Sequence, residues 1–264
     1  MKELALVLGG GACKGFAHIG VIKVLEEHGI KPSIIVGTSM GAIVGGVYAS
    51  GVSADDLIKF ANEFSGRNIT DMSLINILNK GCVMRGKRLH KYIYDILLDI
   101  THDDLLIPFT AVACDMQTGK QYNLDKGYVW KNVLASSAVP AVFPSVEIDG
   151  KILSDGVLVD NLPVDVARAK KPNAVVLSVD VIGDYAKQVE EGGIKIVNQI
   201  LNMSTLYASQ IVKLKACDAD LNIKINQPNI KQMDFNALKA QEAIANGKRA
   251  MTRNIKKLKE LLQD

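Results

Sequence analysis

Short apolar, β-prone runs alternate with helix-like segments, and the alternation is already complete within the first fifty residues. "LALVL" at 4–8 is followed by a helical pattern over about 14–28, by "SIIV" at 33–36, and by another helix from about 40 to 50. Strands joined through helices pack most simply as a mainly parallel sheet between helical layers, which predicts an α/β fold. The later runs "IPFTAVACD" (107–115), "SVEIDGKILSD" (145–155), "AVVLSVDV" (174–181) and "ADLNIKIN" (219–226) continue the strand pattern. Helical patterns fall at 54–64, 86–99, 163–170, about 194–216 and 236–262. With 264 residues, 48% of them hydrophobic, the chain can bury a substantial core, and no internal repeat or low-complexity linker divides it. One domain over 1–264 is expected, with Gly192-Gly193 reading as a loop before a helix.

Two strand-to-helix turns carry chemistry. The first strand breaks into Gly9-Gly10-Gly11, followed by Ala12-Cys13-Lys14-Gly15. Glycines there permit positive φ and close approach, and a helix start just beyond adds unpaired N–H groups and the positive end of a dipole. Such a turn suits a phosphate, a dinucleotide pyrophosphate, or an oxyanion that exists only during a reaction. A Walker A loop requires Ser or Thr after its Lys, whereas Lys14 is followed by Gly15 and Phe16. The dinucleotide fingerprint fails at Lys14 when read from Gly9 and at Ala12 when read from Gly10, and Val36-Gly37 lacks the acidic ribose partner.

The second turn is Gly37-Thr38-Ser39-Met40-Gly41, a Gly-x-Ser-x-Gly pattern between a strand and a helix. In that context it is a nucleophile elbow, which exposes the Ser hydroxyl on a sharp turn. The plainer reading makes Ser39 a helix N-cap. A nucleophilic Ser needs a base, and α/β-hydrolases supply it in the order Ser, Asp, His. The four histidines, His18, His28, His90 and His102, all precede the most conspicuous aspartate, Asp155, so that order cannot be met. A carboxylate acting directly on Ser39 becomes the leading alternative. Asp155-Gly156 ends a strand, where parallel α/β sheets place their chemistry, although Asp-Gly is also an ordinary turn pair.

Taken together, Gly10-Gly11-Ala12-Cys13-Lys14-Gly15, Gly37-Thr38-Ser39-Met40-Gly41 and Asp155-Gly156, in this order and near this spacing, resemble the patatin-like phospholipases. The resemblance runs from residue 4 to about 181 and includes "ASSAVPAVFPSV" at 135–146. It implies a three-layer α/β/α sandwich, Ser39 as nucleophile, Asp155 as its proton acceptor, and Gly10, Gly11, Ala12 and Cys13 as the oxyanion loop. Gly9, Lys14, Gly15, Gly37, Gly41 and Gly156 support those motifs; the Lys14 charge reads either as a support for the loop or an anionic headgroup, or as a plain solvated or salt-bridged lysine. Two positions depart from the family pattern: Ala12 stands where a third glycine is usual, and Val157 where Gly or Ala follows Asp-Gly. The expected activity is hydrolysis of a lipid or fatty-acyl ester through an acyl-enzyme, without cofactor or metal. The competing expectation is a catalytically silent lipid-binding or regulatory module on the same fold.

Charge narrows the partners. The balance of 31 basic against 28 acidic residues, net +3, excludes nucleic-acid binding driven by charge alone. Cys13, Cys82, Cys114 and Cys217 lack CxxC spacing, and a secretory leader and a long apolar span are both missing, so a cytoplasmic protein is expected. Within 236–262, Met251, Ile255, Leu258 and Leu262 form one helical stripe beside Lys248, Arg249, Arg253, Lys256, Lys257 and Lys259. That amphipathic helix is expected to dock on the core, with transient contact at the inner face of a membrane as the alternative. "THDD" at 101–104 lacks a second His or Cys at ligand spacing, so no metal is expected there.

Overall fold

The computed structural model describes residues 2–66, 71, 81–183 and 195–263; Gly192 and Gly193 lie outside them. Strands β1 (Leu4–Leu8), β2 (Ile34–Thr38), β3 (Phe109–Asp115), β4 (Lys120–Leu124), β5 (Val146–Ile148), β6 (Lys151–Asp155), β7 (Val175–Asp180) and β8 (Leu221–Lys224) form one eight-stranded sheet. Helices α1 (Ala17–Glu27), α2 (Met40–Ala49), α3 (Ala54–Gly66), α4 (Lys87–Leu97), α5 (Val129–Ser136), α6 (Val164–Lys170), α7 (Lys195–Lys215) and α8 (Ala237–Gln263) cover it.

β1, β2, β3, β7 and β8 are parallel neighbours, as the βαβα order predicts, whereas β4, β5 and β6 pair antiparallel. The run at 145–155 is thus two strands, not one. Asp149 and Gly150 between them have φ of 52° and 72°, and two positive-φ residues match the handedness of a two-residue hairpin turn.

Alternation along the strands separates two cores. Leu4, Leu6 and Leu8 pack on one face with Ile22 of α1, Val44 of α2 and Met251 of α8. Ala5, Val7, Ile34 and Val36 pack on the other with Val164 and Ala167 of α6 and Val212 of α7. The result is the expected helix–sheet–helix sandwich, apolar on both sheet faces.

α8 lies against α1 so closely that a Cβ on Gly247 would stand 1.9 Å from the Ala17 carbonyl oxygen. Its apolar stripe is turned inward: Met251, Leu258 and Leu262 are buried and Ile255 is half-buried, while Lys248 pairs with Glu27 at 2.8 Å. The stripe read from the sequence is therefore core.

The register around β3 builds the site. β2 pairs with residues 109–112 of β3, β6 with 113–115, and β4 with 111–115. Because β4 overlaps both, it occupies one edge of β3, and β2 and β6 share the other. They run in opposite directions and meet end to end there, with Thr38 opposite Val112 and Asp155 opposite Ala113. Residues 39 and 155 become neighbours through one shared strand.

Candidate active site

Ser39 sits on the turn from β2 into α2 with φ 55° and ψ −124°, a backbone conformation that costs an ordinary residue roughly 1–3 kcal/mol. The flanking glycines make it reachable. A Cβ on Gly37 would stand 2.6 Å from the Gly41 carbonyl oxygen, and one on Gly41 would stand 2.1 Å from that of Leu8. Ser39 does not cap α2 with its side chain, so its hydroxyl is left for another partner. Its backbone N–H donates to Ser136 Oγ at 3.0 Å, and Ser136 in turn donates to the Val112 carbonyl at 2.6 Å. The elbow is thereby tied to α5 and β3.

The Ser39 hydroxyl donates to Asp155 Oδ2 at 2.7 Å. Asp155 Oδ1 accepts the Val157 N–H at 2.9 Å, in a short 3-10 turn over Gly156–Leu158, and the Asp155 N–H donates to Ala138 at 3.0 Å. Gly156 permits this approach: a Cβ there would meet the Val112 carbonyl oxygen at 2.2 Å. Asp155 is completely buried and Ser39 is 9% exposed. Burial pushes the Asp155 carboxyl up to about 7, against the opposing effect of the Val157 and Ser39 hydrogen bonds.

The glycine-rich loop faces the pair. Gly10, Gly11, Ala12 and Lys14 line a cleft with Ser39, Asp155, Val157 and Asn161. The Gly10 N–H is directed at the Asn161 carbonyl, 3.3 Å away, and the Cys13 N–H at that of Gln232, 3.1 Å away. Among the described residues, the N–H groups of Gly11 and Ala12 have no hydrogen-bond partner. Of the four loop donors expected from the sequence, these two are open; Cys13 does not line the cleft, and the Gly10 N–H is engaged. Ala12 holds φ 48°, a left-handed conformation costing a non-glycine residue about 1–2 kcal/mol, which is why a glycine is usual at this position. Gly9 donates to the Val179 carbonyl at 3.1 Å, and Gly15 lies against Met40. Lys14 is buried at the cleft wall.

Residues that the motifs did not single out complete the surroundings. Asn161 Nδ2 donates to the Gly10 carbonyl at 3.3 Å, and Thr38 Oγ1 to that of Asp160 at 2.8 Å. Asp160 and Asn161 both belong to the run "VDNLP" after Asp155, whose polar residues are the signal the sequence offers. Asp160 is itself buried and lies 3.2 Å from Lys215 Nζ, which also holds Asp165 at 2.6 Å. Lys215 thus fastens the end of α7 beneath the cleft, and Ser204 and Thr205 of α7 form part of its wall. On the other side, an apolar pocket opens at Ser39 and is walled by Met40, Ile43, Leu89, Val142, Phe143 and Phe235.

None of the histidines lines either cavity at Ser39. Burial lowers His18 to about 4, so its neutral ring donates Nε2–H to the Gly9 carbonyl at 2.7 Å and supports the loop from behind. The ring nitrogens of His102 are engaged by the Phe109 carbonyl and Asn132, and Asp104 caps Thr101, so "THDD" is a capped turn. The Cys13 thiol is buried against the Asp234 carbonyl at 3.0 Å, and burial pushes it up to about 12. It is a thiol, not a thiolate, at neutral pH.

Known proteins share this arrangement of sequence. An uncharacterized NTE family protein of Mycobacterium bovis is 38% identical over 162 residues, 61% of this chain and 44% of that protein. The lysophospholipase nte1 of Emericella nidulans is 33% identical over 183 residues, 68% of this chain and 12% of that protein. The chain therefore spans less than half the length of the curated relatives it matches. In fold it is similar to VipD from Legionella pneumophila, with TM-score 0.57, 15% identity, and coverage of 96% of this chain and 66% of that one. No described helix is long and apolar enough to cross a membrane. The model for the patatin-like phospholipase family matches residues 6–168, from β1 through the two strand ends that meet on β3 and into α6. The chain belongs to the patatin-like phospholipase family.

Proposed function

We propose that the chain is a serine acyl-ester hydrolase acting on lipids, with Ser39 as nucleophile and Asp155 as its base. The observation that carries this reading is the direct Ser39 Oγ–H donation to Asp155 Oδ2, 2.7 Å long, with no imidazole between them. Ser39 attacks the ester carbonyl and its proton passes to Asp155. The tetrahedral oxyanion is held by the N–H groups of Gly11 and Ala12, donors of a kind worth roughly 2.7–4 kcal/mol each. Collapse expels the alcohol, which takes the proton from Asp155 and leaves an acyl-Ser39 ester. Water then gives a proton to Asp155 and attacks that ester, releasing the fatty acid and regenerating Ser39. The cycle calls on no cofactor.

The apolar pocket at Ser39 suits an acyl chain, and the lysophospholipase name of the fungal relatives supports a phospholipid-derived ester. A fluorophosphonate probe tests the nucleophile, since attack at phosphorus expels fluoride and leaves a stable adduct on Ser39. Labelling of that residue alone is expected. Folded protein that takes up no probe would instead favour the silent lipid-binding module.

Titration of the base gives a second test. Only the ionised carboxylate accepts a proton, and the Asp155 carboxyl is raised to about 7 by burial. The kcat/KM for a dissolved ester is therefore expected to be flat above about pH 7 and to fall roughly tenfold per pH unit below it. A profile level from pH 5 to 9 would remove Asp155 from this role.

A further inference from the structure

α7 leaves four large hydrophobic side chains exposed. The side chains it sends inward are Thr205, Ala208, Ser209 and Val212, all buried, whereas its outward arc carries Met203, Leu206, Tyr207, Gln210, Lys213 and Leu214. At 100° per residue these outward positions fall within one continuous strip. Met203 and Leu214 are 70% and 74% exposed, and four of the ten large hydrophobic side chains left exposed among the described residues lie on this one helix. Scattered surface hydrophobics are ordinary, but their concentration on one face marks a surface with a partner.

We infer that the outward face of α7 seats the protein on an anionic lipid surface. Three observations choose this occupant. Ser204, at the side of the same helix, and Thr205, on its inward side, line the cleft that holds Ser39 and Asp155, so the helix that carries the exposed strip also walls the cleft. The helix spans 21 residues without one Asp or Glu, and Lys213 is exposed within the strip, so no carboxylate on α7 repels an anionic headgroup. The inward side is fixed by Lys215 to Asp160 and Asp165 and by a Gln232–Thr205 hydrogen bond, so the strip is presented by an anchored helix. Burying Met, Leu and Tyr at the headgroup boundary removes apolar area from water that the fold itself leaves exposed. The inference rests on the lipid-ester reading for its purpose: a surface-bound orientation brings the cleft to the substrate.

The test uses Ser39→Ala protein, which keeps the surface without turning lipid over, alone and with Met203→Glu and Leu214→Glu added. Neither of those two residues lines the cleft. Sedimentation with phosphatidylglycerol and phosphatidylcholine vesicles is expected to show binding that prefers phosphatidylglycerol. The two added glutamates should weaken it at least tenfold. The same pair in otherwise unaltered protein should leave hydrolysis of a dissolved short-chain ester within about twofold and the far-UV circular dichroism unchanged. Protein that binds neither vesicle, or a double variant that binds as well as its parent, overturns the inference. So does a dimer in the absence of vesicles that the glutamates dissociate, which would give the face to a second copy of this chain. Failure of the lipid-ester reading is a separate result, in which unaltered protein leaves the dissolved ester intact whatever the vesicles show.

Discussion

Ser39→Ala is expected to lower ester hydrolysis by about 10⁴–10⁶-fold while leaving the fold in place, because nucleophile and base act as one unit and little remains when either is removed. The substitution deletes one oxygen from a backbone held by other groups: the Ser136 hydroxyl on the Ser39 N–H, and the close glycines at 37 and 41. Alanine keeps the φ of 55° at the same cost as serine. What changes is Asp155, which loses one of its two donors and keeps the Val157 N–H. Its carboxyl then moves further above the ordinary range, a change confined to the cleft. Initial rates on a dissolved ester, read beside thermal melting, check the prediction. A variant retaining most of the rate would dismiss the elbow as the nucleophile.

Asp155→Asn should cost about 10²–10⁴-fold in rate, the usual range for removing a general base, because an amide of nearly the same size cannot accept the Ser39 proton. Gln at His18, His28, His90 or His102, one position at a time, should leave more than a tenth of the rate. Geometry supports the contrast. His18 donates to the Gly9 carbonyl, His28 to that of Val24, both ring nitrogens of His102 are engaged, and the His90 ring stacks on Trp130 at 4.8 Å. His18→Gln should show the largest effect of the four, through the loop it supports, and chiefly in kcat. If one His→Gln change abolished activity in folded protein while Asp155→Asn did not, the pair would have to give way to a rearranged triad.

The strands and helices of this chain announce themselves through local signals. Continuous apolar runs such as "LALVL" mark strands buried on both faces, and every helix expected at 54–64, 86–99, 163–170, 194–216 and 236–262 has its counterpart. Elements without that signal are not legible in the sequence. β4, "KQYNL", is half-exposed and polar, and α5, "VWKNVLAS", is a short helix whose buried Ser136 looks like any other serine. The donors of the glycine loop were legible only as a group. Which N–H groups remain open depends on Asn161 and Gln232, carbonyl partners 151 and 219 residues away from Gly10 and Cys13, respectively.

The α/β alternation, the two strand-to-helix turns and the three motifs that point to a family are written locally in the chain, because each depends on residues close in sequence. Assembly of the sheet is what brings Thr38 and Asp155 to neighbouring residues of β3, and so sets Ser39 against a carboxylate distant in the chain. It also sets which apolar helical face is core: the stripe of α8 is buried against α1 and the sheet, while Met203, Leu206, Tyr207 and Leu214 of α7 are left exposed. Periodicity specifies that a helix has an apolar side. Which side is buried is set by the partners available once the sheet has formed, and that is a property of long-range packing.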